Sequence, residues 1–252
     1  MEIFTVKRPV KRYMDGEFSE VSDDVLRETV LYVCIEGGNE ESPLVELVCI
    51  PEYLEELVLG YLYTEGVIDT VADVDSIVVE VADTKDAAKP ADIYTAHVRL
   101  NKYGRSHKYK RQPGCERPGA DRVLKKPDID PAIILKNANL LLDKSDIFKQ
   151  TGNVHSAMLC RGSDVLYFCE DIGRYNAFDK CVGRALKDKT DLSSVCVYTS
   201  GRLPGSVAQK VVKAGIPMVV SRSAPTDVTL EIAARHGLTI VGFARGGRFN
   251  IY

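Results

Sequence analysis

No two of the chain's seven cysteines form a Cys-x-x-Cys pair, which removes the simplest structural zinc sites. No apolar run approaches the roughly 20 residues of a membrane-spanning helix. Residues 1–8 lack the basic-then-apolar order of a secretory leader. There is no Walker loop and no dinucleotide fingerprint, so ATP hydrolysis and hydride transfer find poor support. Repeats and low-complexity tracts are missing too. The net charge of −3 makes no whole-chain case for nucleic acid or membrane binding. Scattered, odd-numbered cysteines without an export signal predict reduced thiols in the cytoplasm.

What is present suits a soluble globular protein. With 252 residues, 45% apolar and 27% charged, the chain can bury one large core or two modest ones. Residues 31–36 and 44–50 read as strands around a Gly37-Gly38-Asn39 turn. Pro51 is expected to open a helix over 52–65, where Leu54, Leu57, Val58, Tyr61 and Leu62 follow helical spacing and Gly66 ends it. Strands are expected at 76–81 and 93–100, separated by a loop over 85–90. Residues 101–127 carry nine cations, three prolines and few aliphatics. They predict a mobile basic linker bearing Cys115.

Beyond Pro131 helix and strand alternate. Helices are expected at 132–142, 176–187, 206–214 and 227–236, and buried strands at 165–169, 195–199, 217–220 and 238–243. This pattern predicts an α/β (α+β) architecture with a parallel or mixed sheet covered by helices. The expected organisation is a β-rich α+β domain over 1–102, the basic linker over 103–128, and an α/β domain over 129–252.

Ligands in such sheets bind beyond the carboxyl ends of strands. Four polar stretches fall at such ends: 170–176, 199–202, 221–226 and 243–248. They supply Arg174, Arg202, Arg222, Arg245 and Arg248, with Ser221, Ser223, Phe243, Ala244, Gly246 and Gly247 among them. Glycines admit backbone amides to a ligand, and arginines grip phosphate in a fork. A single such loop is more often a plain surface turn, but four at one sheet edge favour an anionic, phosphate-bearing ligand. His155 in the polar knot 151–157 is a candidate base or ligand contact, although an isolated histidine is more often structural. Glu55 and Glu56 read as a solvated helix face, and Asp171 as a residue that orients an arginine or caps a helix. Cys34, Cys49, Cys169 and Cys196 lie in apolar strands and read as buried small hydrophobes. Cys115 lies among prolines, glycines and cations that favour its thiolate, so it is a candidate sulfur carrier, about evenly balanced against an incidental loop cysteine.

Together these stretches resemble the FdhD family of formate dehydrogenase accessory sulfurtransferases. The most specific are Glu170-Asp171-Ile172-Gly173-Arg174-Tyr175-Asn176-Ala177-Phe178-Asp179-Lys180, Ser221-Arg222-Ser223-Ala224-Pro225-Thr226 and Gly242-Phe243-Ala244-Arg245-Gly246-Gly247-Arg248. The resemblance implies a cytidine-deaminase-like C-terminal fold without the deaminase zinc, and a homodimer. It implies a persulfide received on Cys115 from a cysteine desulfurase. That sulfur would pass to the bis(molybdopterin guanine dinucleotide) molybdenum cofactor destined for formate dehydrogenase, with GDP a partial mimic of the cargo. Departures are visible. The family's Cys-Gly-x-Cys-Gly reads Cys115-Glu116-Arg117-Pro118-Gly119 here, Asn153 replaces a usual glycine and Tyr175 a usual histidine. The family's Ser-x-Glu-Met is Pro204-Gly205-Ser206-Val207. One thiol suffices to hold a persulfide. A cofactor-binding chaperone without sulfur transfer is the leading alternative. A nucleic-acid module using residues 105–126 is weaker, because only Tyr103 and Tyr109 offer stacking.

Overall fold

A computed structural model describes residues 4–36, 43–81, 92–101, 123–128 and 130–252. Cys115, most of the basic stretch around it and the Gly37-Gly38-Asn39 turn lie outside these residues.

The first element is a two-stranded ribbon, β1 (Thr5–Met14) and β2 (Glu17–Leu26). Asp15 and Gly16 join them with φ of 53° and 92°, the left-handed pair that a two-residue hairpin turn requires. Next come β3 (Thr29–Ile35), β4 (Val45–Cys49), α1 (Leu54–Thr64), β5 (Val74–Val81) and β6 (Asp92–Leu100). The four strands form a mixed sheet in the order β4-β3-β6-β5. Leu57, Val58, Leu59 and Leu62 of α1 share a core with Leu31, Val33, Ala96 and Val98 of that sheet. Pro51 does not open the helix. Tyr53 is its N-cap, in a left-handed conformation, so the proline sits in the approach to the helix instead.

The second sheet follows α2 (Pro131–Asp143) and α3 (Asp146–Thr151). Its strands are β7 (His155–Arg161), β8 (Asp164–Asp171), β9 (Cys196–Thr199), β10 (Met218–Ser221), β11 (Thr239–Arg245) and β12 (Arg248–Ile251), ordered β12-β11-β10-β9-β7-β8. Helices α4 (Arg174–Lys187), α5 (Gly205–Ala214) and α6 (Asp227–His236) connect them. Side-chain alternation assigns the two faces. Ala157 and Leu159 pack with α4 and α5, whereas Met158 and Cys160 pack with Ile134, Ala138 and Leu141 of α2.

Strand directions place the ligand-prone ends together. β9, β10 and β11 run parallel, β7 opposes β9, and β8 opposes β7. The carboxyl ends of β8, β9, β10 and β11 therefore share one edge with the start of β7 at His155. The fourth stretch departs from its expected form as a loop. β11 runs on through Arg245, only Gly246 and Gly247 make the turn, with φ of 58° and 82°, and Arg248 opens β12.

Helices α1 and α4 join the two sheets at backbone contact. A Cβ on Gly60 would lie 1.9 Å from the Asp179 carbonyl oxygen, and one on Gly183 would lie 1.9 Å from that of Glu56. Only hydrogen fits at either position. Beside this crossing the stretch 170–180 shows a structural role. Asp171 and Lys180, both fully buried, pair at 2.7 Å. Asp171 accepts the Ile50 amide at 3.1 Å while Lys180 donates to the Ile50 carbonyl at 3.0 Å. Asn176 donates to Asp171 and to the Val48 carbonyl. A second buried cluster has Thr64 donating to Asp179 at 2.7 Å, and Lys210 reaching Asp179 at 2.7 Å and Glu65 at 3.1 Å. Asp171 thus orients a lysine rather than an arginine, and its Oδ1 accepts the Gly173 amide at the start of α4.

Candidate functional site

The shared edge opens into a cleft of about 300 Å³, walled by Leu141 and Leu142 of α2, Phe148 of α3, Val154 and Ile172. Its polar groups are Ser145, Asn153, His155, Ser156, Ser200 and Arg222. Glu170 holds α3 in place from β8, its carboxylate accepting the Ile147 and Phe148 amides at 3.0 Å each. These are orphan donors at the helix start, because the N-cap Ser145 makes no side-chain cap. Burial pushes the Glu170 carboxyl upward, against the pull of the two amides. Ser145 instead donates to the Leu141 carbonyl or to Ser156 Oγ, both 2.6 Å away.

His155 and Ser200 meet where β7 and β9 lie side by side. Ser200 Oγ accepts the Ser156 amide at 3.0 Å and lies 3.3 Å from His155 Nδ1. Burial holds the half-buried imidazole below its ordinary value, and the Arg174 and Arg202 charges add to that. Arg174 comes from the first turn of α4 and runs across Gly201, where a Cβ would lie 3.2 Å from Arg174 Cβ. Its Nε is buried without a partner, and its Nη2 reaches Tyr175 Oη at 3.4 Å. Tyr175 Oη in turn meets Ser206 Oγ at 2.6 Å. Burial raises this phenol, but the bond to Ser206 and the neighbouring Arg174 outweigh it and bring the group below its usual range.

The expected site residues divide into three groups. The charges of Arg174 and Arg202 both bear on the His155 imidazole, and Arg222 shares the cleft with His155. Ser221 is not available to a ligand. It is 1% exposed and donates to the Gly201 carbonyl at 2.7 Å while accepting the Ser223 amide, which ties the β9 and β10 loops together. Ala244 is fully buried, and Phe243 holds a φ of 55° at a register shift in the β11–β12 pairing. Arg245 and Arg248 face each other as exposed partners across the Gly246-Gly247 turn, at the same edge but outside the cleft lining. Among the described residues no carboxylate lies within ion-pair distance of any of these five arginines. An edge with this much uncompensated positive charge and amide-rich turns can hold a multiply charged anion.

Phe148 was not expected, because it belongs to a six-residue helix too short to show periodicity. Ser156 and Ser200 lay within the expected stretches without being singled out, because their pairing exists only in space. Of the thiols read as buried, Cys49 and Cys169 are so, but Cys34 and Cys196 are half-buried. Cys34 lies near the end of β3, while Cys196 opens on a second cleft of about 350 Å³ at the opposite sheet edge. Burial pushes the Cys49 and Cys196 thiols up to about 12 and about 11, which disfavours the reactive thiolate at both.

Comparison with known proteins places this geometry in a lineage. The sequence model of the FdhD/NarQ family matches residues 27–252. A protein of Listeria innocua named sulfur carrier protein FdhD is 34% identical, over 98% of this chain and 95% of its own. A Bacillus subtilis protein of the same name is also 34% identical, over 98% and 95%. A crystal structure of a protein from Desulfotalea psychrophila, assigned as a formate dehydrogenase accessory protein, superposes with a TM-score of 0.78. It covers 98% of this chain and 96% of its own at 24% identity, which speaks for a shared fold.

Proposed function

Because this chain belongs to the FdhD/NarQ family, we propose that it is a sulfur carrier serving formate dehydrogenase, with Cys115 as the carrying thiol. In the first step the Cys115 thiolate attacks the outer sulfur of a persulfide on a cysteine desulfurase. One S–S bond forms as another breaks, and the desulfurase leaves as a thiolate. Cys115 then bears the sulfur for delivery to the cargo, a bis(molybdopterin guanine dinucleotide) molybdenum cofactor held at the arginine edge.

The observation that carries this reading is the convergence of Arg174, Arg202 and Arg222 with His155 and Ser200 at one edge, without a carboxylate partner for any of the arginines among the described residues. A dinucleotide cargo supplies the charge that this edge lacks, and the cleft beside it has apolar walls suited to a planar ring. Calorimetry with GDP tests the site. Binding should appear at millimolar concentration or below, and Arg202→Ala or Arg222→Ala should each weaken it by about 1.5–3 kcal/mol, the worth of a charge-assisted hydrogen bond. Absence of heat from the wild type at millimolar GDP would remove the cargo site. A cofactor-binding chaperone without sulfur transfer shares this edge and differs only in leaving Cys115 idle.

A further inference from the structure

Among the described residues His155 is the one imidazole lining the cleft at the arginine edge, and its surroundings are one-sided. Arg174 from α4 and Arg202 beyond β9 bear on it, and Arg222 beyond β10 lines the same cleft. Asp171 is its partner across the β7–β8 pair, but that carboxylate is committed to Lys180 at 2.7 Å. Glu170, next along β8, is occupied by the Ile147 and Phe148 amides. Among the described residues the one side-chain hydrogen-bond contact of His155 is the Ser200 hydroxyl, at 3.3 Å from Nδ1. Among the described residues it therefore faces cations with no free carboxylate at ion-pair distance to balance a charge of its own.

We propose that His155 is the proton-accepting residue of this site, neutral while the edge is empty and protonated once a phosphate-bearing anion occupies it. The proposal rests on the anion-binding reading of the edge. An anion seated on Arg174 and Arg202 cancels their repulsion and adds an attraction, so the charged imidazole becomes the favoured form. Binding then takes up a proton, and by linkage affinity rises as pH falls from above the occupied-state midpoint to below the empty-state one. The imidazolium supplies a further cation only when the ligand is present, so the empty edge is spared part of its self-repulsion. Multiply charged phosphates gain most from this arrangement, which makes His155 a specificity-determining residue for them.

The histidine resonances of the full chain, followed by NMR across pH, give the test. The chain has four histidines, and loss of one signal in His155→Gln assigns the relevant one. In the free wild type His155 should titrate below the 6.5 of an unperturbed imidazole. Saturating inorganic pyrophosphate should move the midpoint upward, and Arg174→Met should move it upward without any ligand. A free-protein midpoint at or above 6.5 would overturn the proposal. So would a midpoint unmoved by pyrophosphate while the Ser200 and Gly201 amides report that the ion has bound. If those amides never respond, the anion-binding reading itself fails, and the proposal falls with it.

Discussion

Glu170 caps a helix to which it does not belong, and the cleft depends on it. Without its carboxylate the Ile147 and Phe148 amides lose their acceptors and α3 loses its anchor to the sheet. Glu170→Ala should therefore cost about 1–3 kcal/mol, the penalty for leaving a buried donor unmet, measurable by urea denaturation. An unchanged midpoint would show that α3 is held by its apolar side alone. The neighbouring Asp171 and Lys180 form a fully buried pair. Lys180→Met should cost about 3–5 kcal/mol, because it strands a carboxylate in the interior. Acid dependence follows from the same residues. His155 is depressed in the folded chain, so on acidification the unfolded chain protonates at this position first and stability falls as pH drops below 6.5. Glu170 acts with the opposite sign. Its raised folded value lets the native state bind a proton first, so its burial penalty is relieved as pH falls toward 4.5. Denaturation at pH 7.5 and 5.5 should show a loss that His155→Gln reduces; an identical loss in the variant would contradict the assignment.

At the scale of elements, the crossing of α1 and α4 joins the two sheets. Gly60→Ala or Gly183→Ala would drive a methyl into a carbonyl oxygen of the facing helix, and neither backbone can yield without separating the helices. Each should destabilise by about 1–3 kcal/mol or more, as overpacking does. A denaturation midpoint equal to wild type would mean that the helices can slide apart freely. Sequence made much of this architecture legible. Buried strands such as Met218–Ser221 and amphipathic helices such as Asp227–His236 carry strong patterns, and they lie within about two residues of expectation. Five elements, β1, β2, α3, β7 and β12, were not expected, and each has a physical reason; β7 is a short, almost wholly buried run without alternation. The β1–β2 ribbon is mostly exposed, so it has no inward face to alternate, although Asp15-Gly16 marks its turn. The helix Asp146–Thr151 is under two turns long, and β12 is four residues of which three are exposed. The shared edge was legible as a set of strand ends. Its division of labour was not, since Ser221 and Asp171 spend their polar atoms on partners that sequence spacing does not reveal.

For the whole molecule, the two halves of the proposed function rest on different parts of the chain. In that proposal the arginine edge would hold an anionic cargo, and Cys115, outside the described residues, would carry the sulfur. Pro118 stands where the family's second cysteine falls, so no local Cys-x-x-Cys disulfide can compete with the persulfide. Cys115→Ser should keep the fold and GDP binding, yet fail to restore formate dehydrogenase activity in cells lacking this protein. The sulfur itself is the most direct measurement. After incubation with a cysteine desulfurase and cysteine, mass analysis of the tryptic peptides should find one added sulfur on the Cys115 peptide, removable by reductant. No adduct at Cys115, together with near wild-type rescue by Cys115→Ser, would contradict the sulfur-carrier reading and leave the chain a cofactor-binding chaperone.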